Sequence, residues 1–186
     1  MLTKMHSKKD ALLELFFNSP QQWHFEELGK KAKLSRPQLS RWLKVLEKEE
    51  VILRIKKKGK MPYYLQNGDN AKFRNKKKLF SSEKFVQTGF FDHLASLEKA
   101  KVVILFGSFS RWDWYGHSDI DIFIYGDYDG FDQRKYETRL NREIQIHAAK
   151  DRKDLEKIYK MLPYIIAGDF IKGSVQDLGV EIHATA

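Results

Sequence analysis

Cysteine is absent from this 186-residue chain, which excludes disulfides and thiolate metal sites. No stretch approaches the ~20 consecutive apolar residues that a membrane helix requires. The first residues, Met1–Lys9, lack the apolar h-region of a secretory signal. Together these absences point to a soluble cytoplasmic protein without a membrane partner. What is present excludes a disordered tail: 42% of residues are hydrophobic and 13% aromatic, enough to bury a core.

Acidic residues are scarce in the front of the chain. Residues 1–80 hold 20 Lys/Arg against 8 Asp/Glu, whereas residues 81–186 hold 14 against 17. A strongly basic front and a slightly acidic back predict two modules with different partners, the front one suited to a polyanion.

The front reads as three short helices and a hairpin. Residues 8–18 place Leu12, Leu13, Leu15, Phe16 and Phe17 on a helical stripe closed by Pro20. Phe25, Leu28 and Ala32 share a face of a second helix. Ser35 is the expected N-cap of a third, with Pro37 in its first turn and Leu39, Trp42, Leu43 and Leu46 inward. Val51–Ile55 and Tyr63–Leu65 are strand-like, and the basic, glycine-bearing segment Lys56–Pro62 joins them as a hairpin tip. This pattern resembles the winged helix-turn-helix family. The resemblance implies DNA, or RNA, as partner. It assigns Arg36, Gln38, Ser40, Arg41 and Lys44 to base and backbone contacts from the third helix, and Lys57, Lys58 and Lys60 to phosphates. The alternative is a front domain that binds protein or forms a homodimer. A palindromic DNA site would require the dimer.

Residues 67–84 form a helical connector between a front domain of residues 1–66 and a back domain of residues 85–186. Asn67–Asn70 signals a turn, Lys76–Lys78 a solvated helix face, and Ser81–Ser82–Glu83 the cap of a separate helix bearing Phe85, Val86, Phe90, Phe91, Leu94 and Leu97.

The back domain carries the chemistry. Lys101–Phe106 is a continuous apolar run, as in a buried strand, and it leads into Gly107, Ser108 and Arg111. A second strand follows, Ser118–Tyr125, whose alternation puts Asp119, Asp121 and Phe123 on one face and Ile120, Ile122 and Ile124 on the other. Two carboxylates projecting the same way repel unless a cation lies between them, and they suit Mg²⁺ or Mn²⁺. Gly107 allows a phosphate to approach the backbone, Ser108 offers a hydroxyl, and Arg111 can pair with a phosphate or a carboxylate.

Gly107–Ser108, the gap, and Asp119–Ile120–Asp121 between apolar residues resemble the DNA polymerase β-type nucleotidyltransferase superfamily, in its minimal nucleotidyltransferase branch. The two-domain order is similar to archaeal architectures. The resemblance implies an α/β (α+β) protein whose back domain is a small mixed sheet with helices on one side. It further implies transfer of NMP from ATP or another NTP to an unknown acceptor, with Gly107 and Ser108 holding the triphosphate and Asp119 and Asp121 the metals. Relatives in that branch pair with a toxin-like helical protein and can adenylylate it, so a protein acceptor is among the implied partners. Such enzymes carry a third acid on the next strand, where this chain has Gln145 between Ile144 and Ile146. Three accounts follow. Glu143 replaces the acid; two aspartates suffice, with water or His147 taking the proton; or the site binds nucleotide without chemistry. The last fits a DNA-binding regulator whose back domain is inactive or only senses nucleotide. His147 and His117 read as structural and loop residues. In the tail, Asp151–Lys160 reads as a capped amphipathic helix with Leu155, Ile158 and Tyr159 inward. Phe170–Ile171 and Val180–Ile182 are short strands or helix ends.

Overall fold

The computed structural model describes residues 8–179 and divides into two compact units. One comprises the chain up to Phe80 together with Trp112–His117; the other comprises Ser81–Arg111 and the chain from Ser118 onward.

In the first unit, α1 (Lys8–Asn18) buries Leu12, Leu13, Phe16 and Phe17. A two-residue strand, β1 (Trp23–His24), precedes α2 (Phe25–Ala32), which ends where Lys33 turns left-handed at φ 52°. The next helix, α3 (Arg36–Lys48), is capped as its sequence predicts: Ser35 stands at the N-cap, and its backbone N–H donates to Gln38 Oε1 at 3.3 Å. Leu39, Leu43 and Leu46 are buried. Trp42 is only half-buried, because it carries the cations of Lys9 and Arg41 over its ring instead of entering the core. The expected hairpin forms from β2 (Ile52–Ile55) and β3 (Tyr63–Gln66), and β1 adds to it in the antiparallel order β1-β3-β2. The pair Trp23–His24 is too short for any periodicity to reveal it.

A helix begins after the Asn67–Asn70 turn, where Asn70 Oδ1 accepts from the Lys72 N–H at 2.8 Å. It corrects the expected break. Ser81 and Ser82 do not cap a new helix; α4 runs unbroken from Ala71 to Gln87, with Ser81 buried inside it. Serine costs only about half a kcal/mol in a helix interior, so packing overrides its preference for caps. The chain breaks instead at Gly89, whose φ of 72° suits glycine. Val86, expected inward, is 58% exposed. Lys77, expected on a solvated face, is buried with its ammonium over the rings of Tyr115 (4.4 Å), Trp114 (4.7 Å) and Phe73 (5.8 Å). The segment Trp112–His117 is secured in this unit by other contacts too: Trp114 meets Phe17 edge-on, Gly116 N–H donates to Asn18 O at 2.9 Å, and Arg74 lies over Trp112.

The second unit is built on a four-stranded mixed sheet of order β6-β5-β4-β7. Its strands are β4 (Ala100–Phe106), β5 (Ile120–Gly126), β6 (Ile144–Ala149) and β7 (Asp169–Lys172). Only β5 and β6 are parallel, and α7 (Gln133–Leu140) makes the crossover between them. Val102, Val103, Ile104 and Leu105 are all at most 2% exposed, so both faces of β4 are covered. This corrects the expectation of helices on one side. A continuous apolar strand requires cover above and below. On one face Val102, Ile104, Phe123 and Ala149 pack with Leu155 of α8 (Arg152–Lys157), Leu162 and Ile165 of α9 (Leu162–Ile166), and Leu178. Elsewhere in the unit, α4, α5 (Phe90–Ala95) and α7 share an aromatic cluster in which Phe90 meets Phe85 at 5.5 Å and Tyr136 at 5.3 Å.

In the tail, Asp151 caps α8 by accepting from Asp154 N–H at 3.1 Å, and Leu155 is buried. Tyr159, expected inward, is 72% exposed, because α8 ends at Lys157 and the chain turns before it. Phe170–Ile171 lies in β7; Val180–Ile182 falls outside the described residues. Among the described residues no helix is long and apolar enough to cross a membrane.

Candidate active site

The apolar face of the second sheet becomes polar at one end. Register aligns Phe106 of β4 with Asp121 of β5, and Asp121 with Gln145 of β6; one step inward, Ile104, Phe123 and His147 align. Asp121, Gln145 and His147 therefore share the face whose interior is the Val102–Ile104–Phe123 core, and they sit at its edge. Strand β4 ends here in α6 (Gly107–Arg111), which presents Gly107 and Ser108 beside the start of β5.

Gly107 has φ 73°, and a Cβ built on it would overlap Asp121 Oδ2 and come within 3.0 Å of Asp121 Cγ. Both facts demand glycine: left-handed backbone strains any other residue, and the carboxylate occupies the space a side chain would need. The Gly-Ser turn and the second aspartate are thus one interlocked feature. Ser110 Oγ donates to Gly107 O at 3.2 Å and steadies the turn.

Both aspartates meet side chains from β6. Gln145 Nε2 donates to Asp119 Oδ2 at 2.7 Å. His147 Nε2 lies 3.8 Å from Asp121 Oδ1, its ring edge-on to Phe106. Burial pushes the Asp121 carboxyl above the ordinary carboxylate range, and the Asp119 charge pushes the same way. His147 and Arg111 pull it back without reversing the direction. The strand ends are also fixed: Arg142 donates to Ser118 O at 3.2 Å, and Glu137 Oε1 accepts from the Ile144 N–H at 3.1 Å.

Glu143 lies just before β6, exposed, and its backbone oxygen accepts from Ile120 N–H at 2.9 Å. Among the described residues no three His, Asp or Glu side chains gather closely enough to hold a metal. Asp119, Asp121, Gly107 and Ser108 are brought together with Arg111 near; Glu143 is not gathered with them. The sequence reading missed the contacts of Gln145 and His147. Their alternation on β6 was legible, but pairing them with particular aspartates needed the parallel register, which no sequence pattern discloses. His117 lies in the Trp112–His117 segment and is exposed, as a loop residue should be.

In the first unit, Arg36, Gln38, Arg41 and Lys44 of α3 and Lys57, Lys58 and Lys60 of the turn are exposed, and Ser40 is half-buried. Gln38 is engaged in capping, and Arg36 pairs with Glu26 at 2.9 Å.

Residues 92–175 match the family model described as polymerase beta, nucleotidyltransferase. This stretch runs from α5 to the loop after β7 and contains every residue of the polar edge just described, which supports placing the second unit in the nucleotidyltransferase superfamily. No curated protein and no solved structure matches the chain.

Proposed function

We propose that the protein is a metal-dependent nucleotidyltransferase that moves NMP from ATP or another NTP to an acceptor group. The observation that carries this reading is the interlock of Gly107 with Asp121, which presents a side-chain-free turn directly against a carboxylate. A phosphate chain lying along such a turn can approach the backbone without meeting a side chain. Gly107 and Ser108 hold the triphosphate and Arg111 supplies charge toward it. The Asp119 and Asp121 donor set is all oxygen, which suits Mg²⁺ or Mn²⁺. When bound, such an ion supplies charge neutralisation of the transferred phosphate. The acceptor's proton passes to His147, 3.8 Å from Asp121 Oδ1, or to water. A protein side chain, a small molecule or an RNA end can serve as acceptor, and a toxin-like partner protein is one such case.

Within the first unit, residues 1–66 are proposed to form a winged helix-turn-helix domain that binds DNA; residues 67–84 lead from it to a proposed transferase domain of residues 85–186, whose Trp112–His117 segment packs in the first unit. The order α1-β1-α2-α3-β2-β3 with a three-stranded antiparallel sheet supports this, as does the exposed basic turn. Arg41 and Lys44 on α3, and Lys57, Lys58 and Lys60 on the turn, are the contacts proposed.

One observation favours a second reading. Gln145 brings a neutral amide to Asp119 where an acid would complete the site. On that reading the protein is a DNA-binding regulator whose second unit is inactive or only senses nucleotide.

Calorimetric titration of ATP with Mn²⁺ tests the site, with Asp119→Asn/Asp121→Asn alongside. Saturable, metal-dependent binding lost in the variant is expected. Absence of binding to all four NTPs would overturn the transferase and favour a regulator whose second unit is inactive. Binding without transfer to any acceptor would leave the regulator.

A further inference from the structure

We propose that the first unit carries a separate pocket for a nucleoside monophosphate group, lying between the β2–β3 turn and the paired ends of β1 and β3. The cavity measures about 270 Å³ and is lined by Gln22, His24, Lys57, Lys60, Met61 and Tyr63. That volume falls just below the ~300–1,000 Å³ of pockets for drug-sized ligands, so it suits one nucleotide unit and no more.

The lining is chemically one-sided. Its six lining residues include two lysines, a histidine, a glutamine and a tyrosine, and no acidic residue. Its walls are set by backbone. The register pairs His24 with Tyr63, so both project from one face of the sheet, with their rings edge to face at 6.4 Å. Lys57 and Lys60 stand at the two ends of a turn closed by the Lys60 N–H donating to Lys57 O at 3.1 Å, with Gly59 left-handed at φ 71°. The turn therefore holds the stems of the two cations at a fixed separation. A terminal phosphate monoester carries about −1.5 to −2 at pH 7, matching two lysines. An internal phosphodiester carries a single charge, and its strand must leave on both sides. The His24–Tyr63 pair and Met61 offer apolar and aromatic surface for the nucleoside.

The shared chemistry is thus a nucleoside 5′-phosphate, supplied either by a free nucleotide or by the phosphorylated end of a nucleic-acid strand. It uses none of the residues at the Asp119–Asp121 edge, and only its strand-end form rests on the nucleic-acid reading of the first unit.

The test uses the full chain in the Asp119→Asn/Asp121→Asn background, which silences the other site. AMP, adenosine, a 5′-phosphorylated oligonucleotide duplex and its 5′-hydroxyl counterpart are titrated calorimetrically, and His24 imidazole resonances locate the ligand. AMP is expected to bind at least about tenfold more tightly than adenosine, to shift His24, and to lose that advantage in Lys57→Gln/Lys60→Gln. With AMP bound as expected, tighter binding of the phosphorylated duplex than of its hydroxyl counterpart supports the strand end; equal binding of the two duplexes supports the free nucleotide. Equal binding of the phosphorylated and hydroxyl duplexes, with no response to AMP, overturns the pocket and leaves nucleic-acid binding by the first unit standing. Binding of AMP with no binding of either duplex sinks the nucleic-acid reading and keeps the pocket.

Discussion

Gln145 donates its amide to Asp119 Oδ2 at 2.7 Å, so the residue that replaces the expected third acid is engaged with the site, tied to one of its two aspartates. That bond holds Asp119 in one orientation, yet it leaves the site one carboxylate short. Gln145→Glu restores the charge at the same backbone position. It is expected to raise Mn²⁺ affinity about tenfold, and to raise transfer to any acceptor the wild type accepts. Gln145→Ala removes the bond without adding charge and is expected to weaken ATP binding. Calorimetry of Mn²⁺ with each variant checks this; if the glutamate variant binds metal no better than the alanine one, position 145 does not belong to the site.

The raised Asp121 carboxyl fixes the sign of a pH effect. Its folded form binds a proton more readily than the unfolded chain does, because burial and then the Asp119 charge disfavour the anion. The contribution of Asp121 to stability is therefore most favourable below its ordinary value of 3.8. It declines as pH rises from there through the raised folded value. Asp121→Asn should melt above the wild type at neutral pH, by a few degrees (roughly 2–4 °C per kcal/mol for a chain of this size), and the gap should close toward pH 4. Thermal melts of the metal-free proteins between pH 4 and 7.5 decide it. A gap that widens in acid would reverse the sign.

Gly107→Ala combines two penalties, left-handed backbone and overlap with Asp121 Oδ2. The left-handed backbone costs about 1–3 kcal/mol, and the Asp121 carboxylate must turn aside as well. The variant should melt about 2–12 °C lower, at roughly 2–4 °C per kcal/mol, and fail to bind ATP with Mn²⁺. Gly130→Ala is the control. It shares the positive φ, but a Cβ there has no neighbour within 4 Å, so it should lose some stability and keep the nucleotide.

The contrast between these glycines shows how far the sequence was legible. Gly107–Ser108 and Asp119–Ile120–Asp121 declared themselves because β4 and β5 are unbroken apolar or alternating runs, and the turn between them has few alternatives. The buried helix faces were equally plain: Leu12, Leu28, Leu39 and Leu43 all sit where helical spacing puts them. What escaped depends on partners far away in the chain. Ser81 looked like a cap because serine caps helices, but buried packing holds it inside α4. Lys77 looked solvated because lysine usually is, and only the fold brings Trp114 and Tyr115 over its ammonium.

That caged lysine makes its own prediction. Lys77 is 1% exposed, and the rings around its ammonium come from α4 and from the Trp112–His117 segment. Desolvated cation–π contacts contribute about 2 kcal/mol or more. Lys77→Met keeps the volume and removes the charge, so it should cost less than Lys77→Ala, which also leaves a cavity. Both should change Trp fluorescence before global unfolding, because Trp114 loses the cation stacked on it. Urea melts followed by fluorescence and by circular dichroism test this. Coincident, unshifted transitions for both variants would mean that the cage contributes nothing.

The proposed nucleic-acid binding by α3 divides its basic residues by how committed each already is. Arg41 and Lys44 are exposed, and removing both should weaken duplex binding and lower the slope of log affinity against log salt by about 2, one unit per lost phosphate contact. Arg36 is different, because Glu26 already holds it at 2.9 Å. A phosphate must compete with that carboxylate, so Glu26→Gln should raise duplex affinity a few-fold, the scale of an exposed ion pair at roughly 0–1 kcal/mol. Fluorescence anisotropy at several salt concentrations separates the cases. An Arg41→Ala/Lys44→Ala slope equal to that of the wild type would remove α3 from the interface. A Glu26→Gln affinity unchanged at low salt would mean that Arg36 faces away from the duplex, leaving the basic turn as the phosphate contact.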